Sequence, residues 1–256
     1  MPESETSEGG SGFRRTPGKQ LYDMTEHELV SEILFGSARL YEFFGFVMTD
    51  VHGLKAADGW EYVFLGNIPR TDLGLSRLGQ PGDIDLLIIP HQGNKFHLGK
   101  AAAIEIKRLS LKAPRWNKST DRLGITQANG LLEAGFPYVG ILHLIVHDRG
   151  PDENHKPVMA ARVVDQDGTM EIEGSSVTDM TGYISSERQL GRLLAHKPDP
   201  VIGLNCVSLC DVEQSTHRGV IVGMPNGRPA KRNPKASLAC VRQISSFMER
   251  LAAGAV

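Results

Sequence analysis

The chain has 256 residues, 40% of them hydrophobic, and a formal net charge of −2 at pH 7. That length supports one well-buried core with elaborations. No apolar run approaches the roughly 18 residues of a membrane span, and the N-terminus lacks the basic-then-apolar layout of a secretory signal, so a cytoplasmic protein is expected.

Residues 1–22 are rich in Ser, Gly, Glu, Pro and basic side chains, too poor in apolar content to offset the entropy of ordering, and read as a disordered tail. Residues 23–256 read as one domain with a core over 26–147 and a C-terminal elaboration over 157–256. From Asp23 the pattern becomes helical. Asp23 or Thr25 can cap, with Glu26 or Glu28 as capping-box partner, and Leu29, Val30, Ile33, Leu34, Leu40, Tyr41 and Phe44 form an apolar stripe that Gly45 closes. Short strands are expected over 46–51 and 60–66, and Gly-rich loop over 71–82. Gly82 to Pro90 and Ala101 to Lys107 are β-prone runs joined by a polar turn, which suggests an antiparallel hairpin. Helix follows over 126–134 and a strongly apolar strand over 138–147. A hairpin around Asp167-Gly168, a helix over 186–195, strands over 201–209 and 219–222, and a helix over 236–252 complete the chain. This order signals an α/β domain, a mixed β-sheet flanked by helices.

The chemistry concentrates in the central hairpin. Glu105 and Lys107 share one face of a strand, about 6.5 Å apart, while Ile104 and Ile106 share the other. This is the one acid-x-Lys triplet in the chain, and three small residues, Ala101-Ala102-Ala103, precede it. Asp83 and Asp85 also share a face. With the turn centred near Lys95, Asp85 falls almost opposite Glu105, where cross-strand Cβ atoms lie about 5 Å apart. Two carboxylates so close repel unless a cation joins them. Mg²⁺ or Mn²⁺ suits such oxygen donors, with Asp85, Glu105 and the Ile106 carbonyl as ligands and Lys107 beside an attacking water.

The motifs Pro81-Gly82-Asp83-Ile84-Asp85 and Glu105-Ile106-Lys107 resemble those of the PD-(D/E)XK nuclease superfamily. The resemblance covers roughly residues 26–147 and implies a restriction-endonuclease-like fold that hydrolyses phosphodiester bonds with a divalent metal, most often in DNA. Gly-Asp-Ile-Asp-Leu-Leu-Ile is similar to the strand of resolvase-like members, which favours Asp85 over Asp83 as ligand. Members commonly add a Gln or a basic residue from the following helix, and Gln127 is similar to that element. They also add a Glu from the preceding helix. Advancing 100° per residue from Ile33 at the centre of the stripe, Glu26 falls inside it, Glu32 on its flank and Glu28 opposite. Family spacing before Gly45-Phe46 favours Glu32, which is taken as the catalytic helix acid.

Charge is local. Seven basic residues against two acidic ones lie between Lys100 and Arg122. Lys112, Arg115, Lys118 and Arg122 are read as a nucleic-acid contact, with Trp116 able to stack on bases. Arg228, Lys231, Arg232 and Lys235 form a second cluster in a loop-like stretch. Cys206, Cys210 and Cys240 read as buried thiols rather than as a zinc site with His217. His143 and His147, some 13 Å apart on one strand, cannot share a metal and read as core histidines. A homodimer would let paired sites cut both strands. The rival reading is a catalytically silent module that binds nucleic acid or a partner protein.

Overall fold

The computed structural model describes residues 12–14, 21–36, 40–48, 59–75, 82–111, 123–148, 150–213, 217–223 and 227–254. In chain order these form β1 (Gly12–Arg14), α1 (Glu26–Gly36), α2 (Leu40–Phe44), β2 (Glu61–Ile68), β3 (Ile84–Gln92), β4 (Lys95–Phe96), β5 (Ala102–Leu111), α3 (Ile125–Glu133), β6 (Tyr138–His147), β7 (His155–Val163), β8 (Met170–Asp179), α4 (Thr181–Ala195), β9 (Gly203–Glu213), β10 (His217–Gly223) and α5 (Leu238–Ala252). Eight strands build one mixed sheet in the order β1-β10-β9-β6-β5-β3-β2, with β4 attached to β3. β5, β6 and β9 run parallel, and the outer strands pair antiparallel.

The composition of β6 explains its position. All ten of its residues are buried, as a strand covered by helices on both faces requires. One face of the sheet, including Leu86, Ile104, Ile106, Leu142 and Val207, packs against Leu29, Val30, Ile33, Phe43 and Phe44 of α1 and α2. The other face, including Leu87, Ala103, Ile141 and Leu204, packs against Leu131 of α3, Leu193 of α4 and Ile244 of α5. No helix of the described residues is long and apolar enough to cross a membrane.

Three expectations need correction. Residues 1–22 are not wholly a tail: Gly12–Arg14 pairs with β10, and Leu21 is buried in a 3-10 turn over Leu21–Asp23. Leu21 and Tyr22 supply the apolar and hydrogen-bonding anchors, the Tyr22 hydroxyl donating to the Leu111 carbonyl at 2.7 Å. The long N-terminal helix is two helices, and the strand expected over 46–51 begins instead as a 3-10 turn, Gly45–Val47. Phe46 of that turn is buried against two glycines of neighbouring strands, Gly140 and Gly203, which are paired in register. A Cβ on Gly140 would come within 2.7 Å of the Phe46 ring, and one on Gly203 within 2.8 Å.

The second basic cluster is also less free than a surface loop. Arg228 forms a β-bridge with Leu204 and donates to the carbonyls of Ile202 and Asp199, Arg232 donates to that of Gly99, and Lys235 pairs with Glu133. Beside them, the buried Asn233 amide donates to the carbonyls of Leu132 and Phe136, both at 2.9 Å, satisfying the end of α3.

The slot for Phe46 generates a stability test. Gly140→Ala should destabilise the fold by about 1–3 kcal/mol through overpacking. In urea unfolding, Phe46→Leu should recover part of that loss in the double variant, a coupling that independent sites would lack.

Candidate active site

The site begins where a ladder ends. β3 and β5 pair in the register Leu86↔Ile104, Leu87↔Ala103 and Ile88↔Ala102. One step further, Asp85 stands opposite Glu105, as the turn length predicted. Beyond that step the pairing with β3 has ended while β5 continues to Leu111, and the N–H groups on its open edge need other acceptors. Carboxylates supply them. Asp85 Oδ2 accepts from the Ile106 N–H at 2.7 Å, and Glu26 Oε2 accepts from the Arg108 N–H at 2.8 Å.

Lys107 lies at the centre of these acids. Its Nζ contacts Glu105 Oε1, lies 3.6 Å from Glu26 Oε1 and donates to the Ile106 carbonyl at 3.0 Å. Glu105 is 1% exposed, and among the described residues its Oε1 has no partner in hydrogen-bond alignment beyond that ion pair. Burial, and then repulsion by Asp85, push its carboxyl up to about 7, with the Lys107 hydrogen bond and charge opposing. Burial likewise pushes Asp85 up to about 6 against the Ile106 N–H, which holds it down. Burial disfavours the Lys107 ammonium, but the hydrogen bond and charge of Glu105, with Glu26 and Asp85, outweigh it, so its pKa is raised.

The helix acid at this site is therefore Glu26 and not Glu32. Glu32 is six residues on, about 9 Å along the axis and about 120° around the helix. A reciprocal capping box fixes the start of α1: the Thr25 N–H donates to Glu28 Oε2 at 2.8 Å, and the Glu28 N–H to Thr25 Oγ1 at 3.2 Å. The signal that identifies Glu26 was its phase, an acid inside the apolar stripe. Asp83, in contrast, caps a loop by accepting from the Arg70 N–H at 3.1 Å.

α3 reaches the site through Gly124, a residue that sequence reasoning missed. Gly124 precedes the helix at φ 73°, and a Cβ there would lie 2.8 Å from Glu105 Cγ. Only glycine meets both the left-handed backbone and the close approach. His143, beside Lys107 in the parallel register, fixes this turn. Its Nδ1 receives the Gln189 amide at 2.9 Å and its Nε2 lies 3.2 Å from the Leu123 carbonyl. Burial lowers its pKa to about 4, so the ring is neutral and donates from Nε2. Gln127 lies beside Gly82, whose Cβ would be 3.7 Å from its amide nitrogen, and among the described residues it does not bond to Asp85, Glu105 or Lys107.

Among the described residues no three His, Cys, Asp or Glu side chains gather to hold a metal. The donor set at this site is two carboxylates and a backbone carbonyl. Those oxygens fit a hard divalent cation, because burial pushes both carboxyls up, helped by Asp85 at Glu105 and by Glu26 and Asp83 at Asp85, and such a charge would relieve this. All three cysteines are buried, and Trp60 packs edge-on to His97 at 4.5 Å. Lys112, Arg115, Trp116, Lys118 and Arg122 lie outside the described residues.

No family model and no curated protein matches the chain. Among solved structures, SfsA of Pyrococcus furiosus in complex with Ca²⁺ matches at 10% identity with a TM-score of 0.28, over 69% of this chain and 59% of that one. The chain thus spans less than two thirds of that protein, and a likeness at this level carries no argument about function.

Two outcomes follow from the buried carboxylates. Because Asp85 and Glu105 hold protons in the folded state that the unfolded chain has already released, stability is greatest below about pH 4 for these groups and falls as pH rises through 6 to 7. In chelator-treated protein, Glu105→Gln should flatten that decline by on the order of 3 kcal/mol across pH 4–8, read by urea unfolding at stepped pH. Gly124→Ala should cost at least about 1–2 kcal/mol at every pH, since backbone conformation does not titrate.

Proposed function

We propose that the protein is a divalent-metal-dependent nuclease that hydrolyses phosphodiester bonds, with DNA the favoured substrate. The observation that carries this reading is Asp85 across from Glu105, with Lys107 on the same buried edge. Asp85, Glu105 and the Ile106 carbonyl would hold Mg²⁺ or Mn²⁺, which when bound supplies Lewis-acid polarisation of a phosphate oxygen and a more acidic water.

The chain's own residues do the rest. Lys107 now neutralises Glu105 and binds the Ile106 carbonyl. Released from these oxygens, its ammonium is free to orient a water and offset charge growing on the phosphorus oxygens. Glu26 keeps a second acceptor within reach of that ammonium, so its excursion is short. The basic stretch with Lys112, Arg115, Lys118 and Arg122 lies in sequence between β5, which carries Glu105 and Lys107, and Gly124, which abuts Glu105, and this supports a role in holding phosphates. Gln127, at the start of α3, has its amide beside Gly82 at the entrance of β3 and is proposed to contact substrate.

A second reading is favoured by one observation. Lys107 already balances Glu105 while Asp85 and Glu26 satisfy backbone N–H groups, and such a closed set can serve as a lock in a silent, nucleic-acid-binding module.

Two measurements separate these readings. The nuclease should cut DNA only with Mg²⁺ or Mn²⁺, and Glu105→Gln and Lys107→Ala should each lose about 10²-fold or more in rate. Mn²⁺ should also raise the melting temperature of the wild type and leave that of Asp85→Asn unmoved. Equal cleavage by wild type and both variants would remove this site from the chemistry. Binding of DNA without metal-stimulated cutting, on any substrate tried, would select the silent module.

A further inference from the structure

β7 and β8 are inserted between β6 and α4 and form a two-stranded sheet of their own, among the described residues pairing only with each other. The register Pro157↔Val177, Met159↔Ser175, Ala161↔Ile172 and Val163↔Met170 puts these eight residues on one face of the ribbon. The other face carries Lys156, Arg162, Glu171 and Thr178 with Val158 among them. There Arg162 lies 2.9 Å from Glu173 and 3.7 Å from Glu171. The ribbon is therefore amphipathic, yet its apolar face meets solvent: Met159 is 67% exposed, Val163 59%, Met170 62%, Ile172 63% and Val177 73%.

The tip of the ribbon is firmly built. Asp165 Oδ1 accepts from the Asp167 N–H at 3.0 Å and the Thr169 N–H at 2.9 Å, and the Val164 N–H donates to the Thr169 carbonyl at 2.9 Å. A two-stranded ribbon with one bare apolar face is marginal in water without a third layer to cover it.

We propose that this face packs on the same face of a second copy of the chain, forming a two-fold symmetric dimer. The five exposed side chains present on the order of 600 Å² of apolar surface, at the top of what a monomer leaves open and close to the roughly 800 Å² that each partner contributes to a stable interface. The face carries no charge, so identical copies do not repel across it. Its charged neighbour Arg162 is already satisfied within its own chain. The stretch 155–179 holds two Lys or Arg against five Asp or Glu, which repels nucleic acid and anionic lipid, while the charge-free apolar face can meet the same face of a second copy. The inference is independent of any nuclease activity.

Sedimentation velocity on the full chain tests it. The wild type should sediment at twice 28.0 kDa in the micromolar range, with Met159→Glu and Ile172→Glu near 28.0 kDa and a dimer dissociation constant raised about 100-fold or more. Arg162→Ser, on the opposite face, should remain dimeric. Far-UV circular dichroism confirms folding, and Val177→Lys replaces any variant that fails that check. A monomeric wild type at about 100 µM, or a dimer that survives all three charged substitutions, overturns the proposal. So does a monomer that floats with neutral phosphatidylcholine vesicles, which would assign the face to a lipid surface.

Discussion

The architecture of the site depends on one unmet demand of the backbone. β5 outlasts β3, and two of its N–H groups are left facing away from any strand. Buried without acceptors, each would cost about 1–3 kcal/mol. Asp85 and Glu26, drawn from different elements, meet the demand, and their charges then converge on a region the helices have dried. Lys107 balances part of that charge, and Glu105, sealed from water, retains its proton unusually well. What looks like a cluster of functional residues is also the way the sheet terminates an uneven edge.

A second layer of organisation runs behind the acids. The neutral His143 ring joins Gln189 of α4 to the carbonyl of Leu123, and Leu123 leads into the Gly124 turn that presses on Glu105. Helix packing on one side of the sheet is thereby transmitted to the carboxylate through a short chain of fixed hydrogen bonds. A histidine that bears no charge serves this purpose well, since it adds no further cation beside Lys107.

Much of this was legible in the sequence because periodicity and turn length are local properties. The strand Tyr138–His147 was read with its observed ends, and the turn centred near Lys95 was enough to set Asp85 against Glu105. The free thiols and core histidines also followed from residue type. Glu26 shows how a sound signal can be outweighed: its helical phase pointed inward, whereas spacing borrowed from a family resemblance pointed to Glu32. Gly124 and the Gln189 link were out of reach, because both depend on segments distant in sequence meeting across the sheet. The same holds for the 3-10 turn at Gly45–Val47, where the apolar Phe46 promised a strand but is buried as a plug between Gly140 and Gly203.

The capping box of Thr25 and Glu28 has an implication for how such chains can diverge. It stands at the very start of α1 and brackets Glu26, so the acid's position is referenced to the helix origin and not to its body. Turns can be gained or lost downstream, towards Gly36, while the carboxylate stays in step with β5. An insertion of a single residue between the cap and the acid would rotate it by about 100° and break that alignment. A change of length in α1 therefore leaves Glu26 in place when it falls after the acid and displaces it when it falls between the cap and the acid.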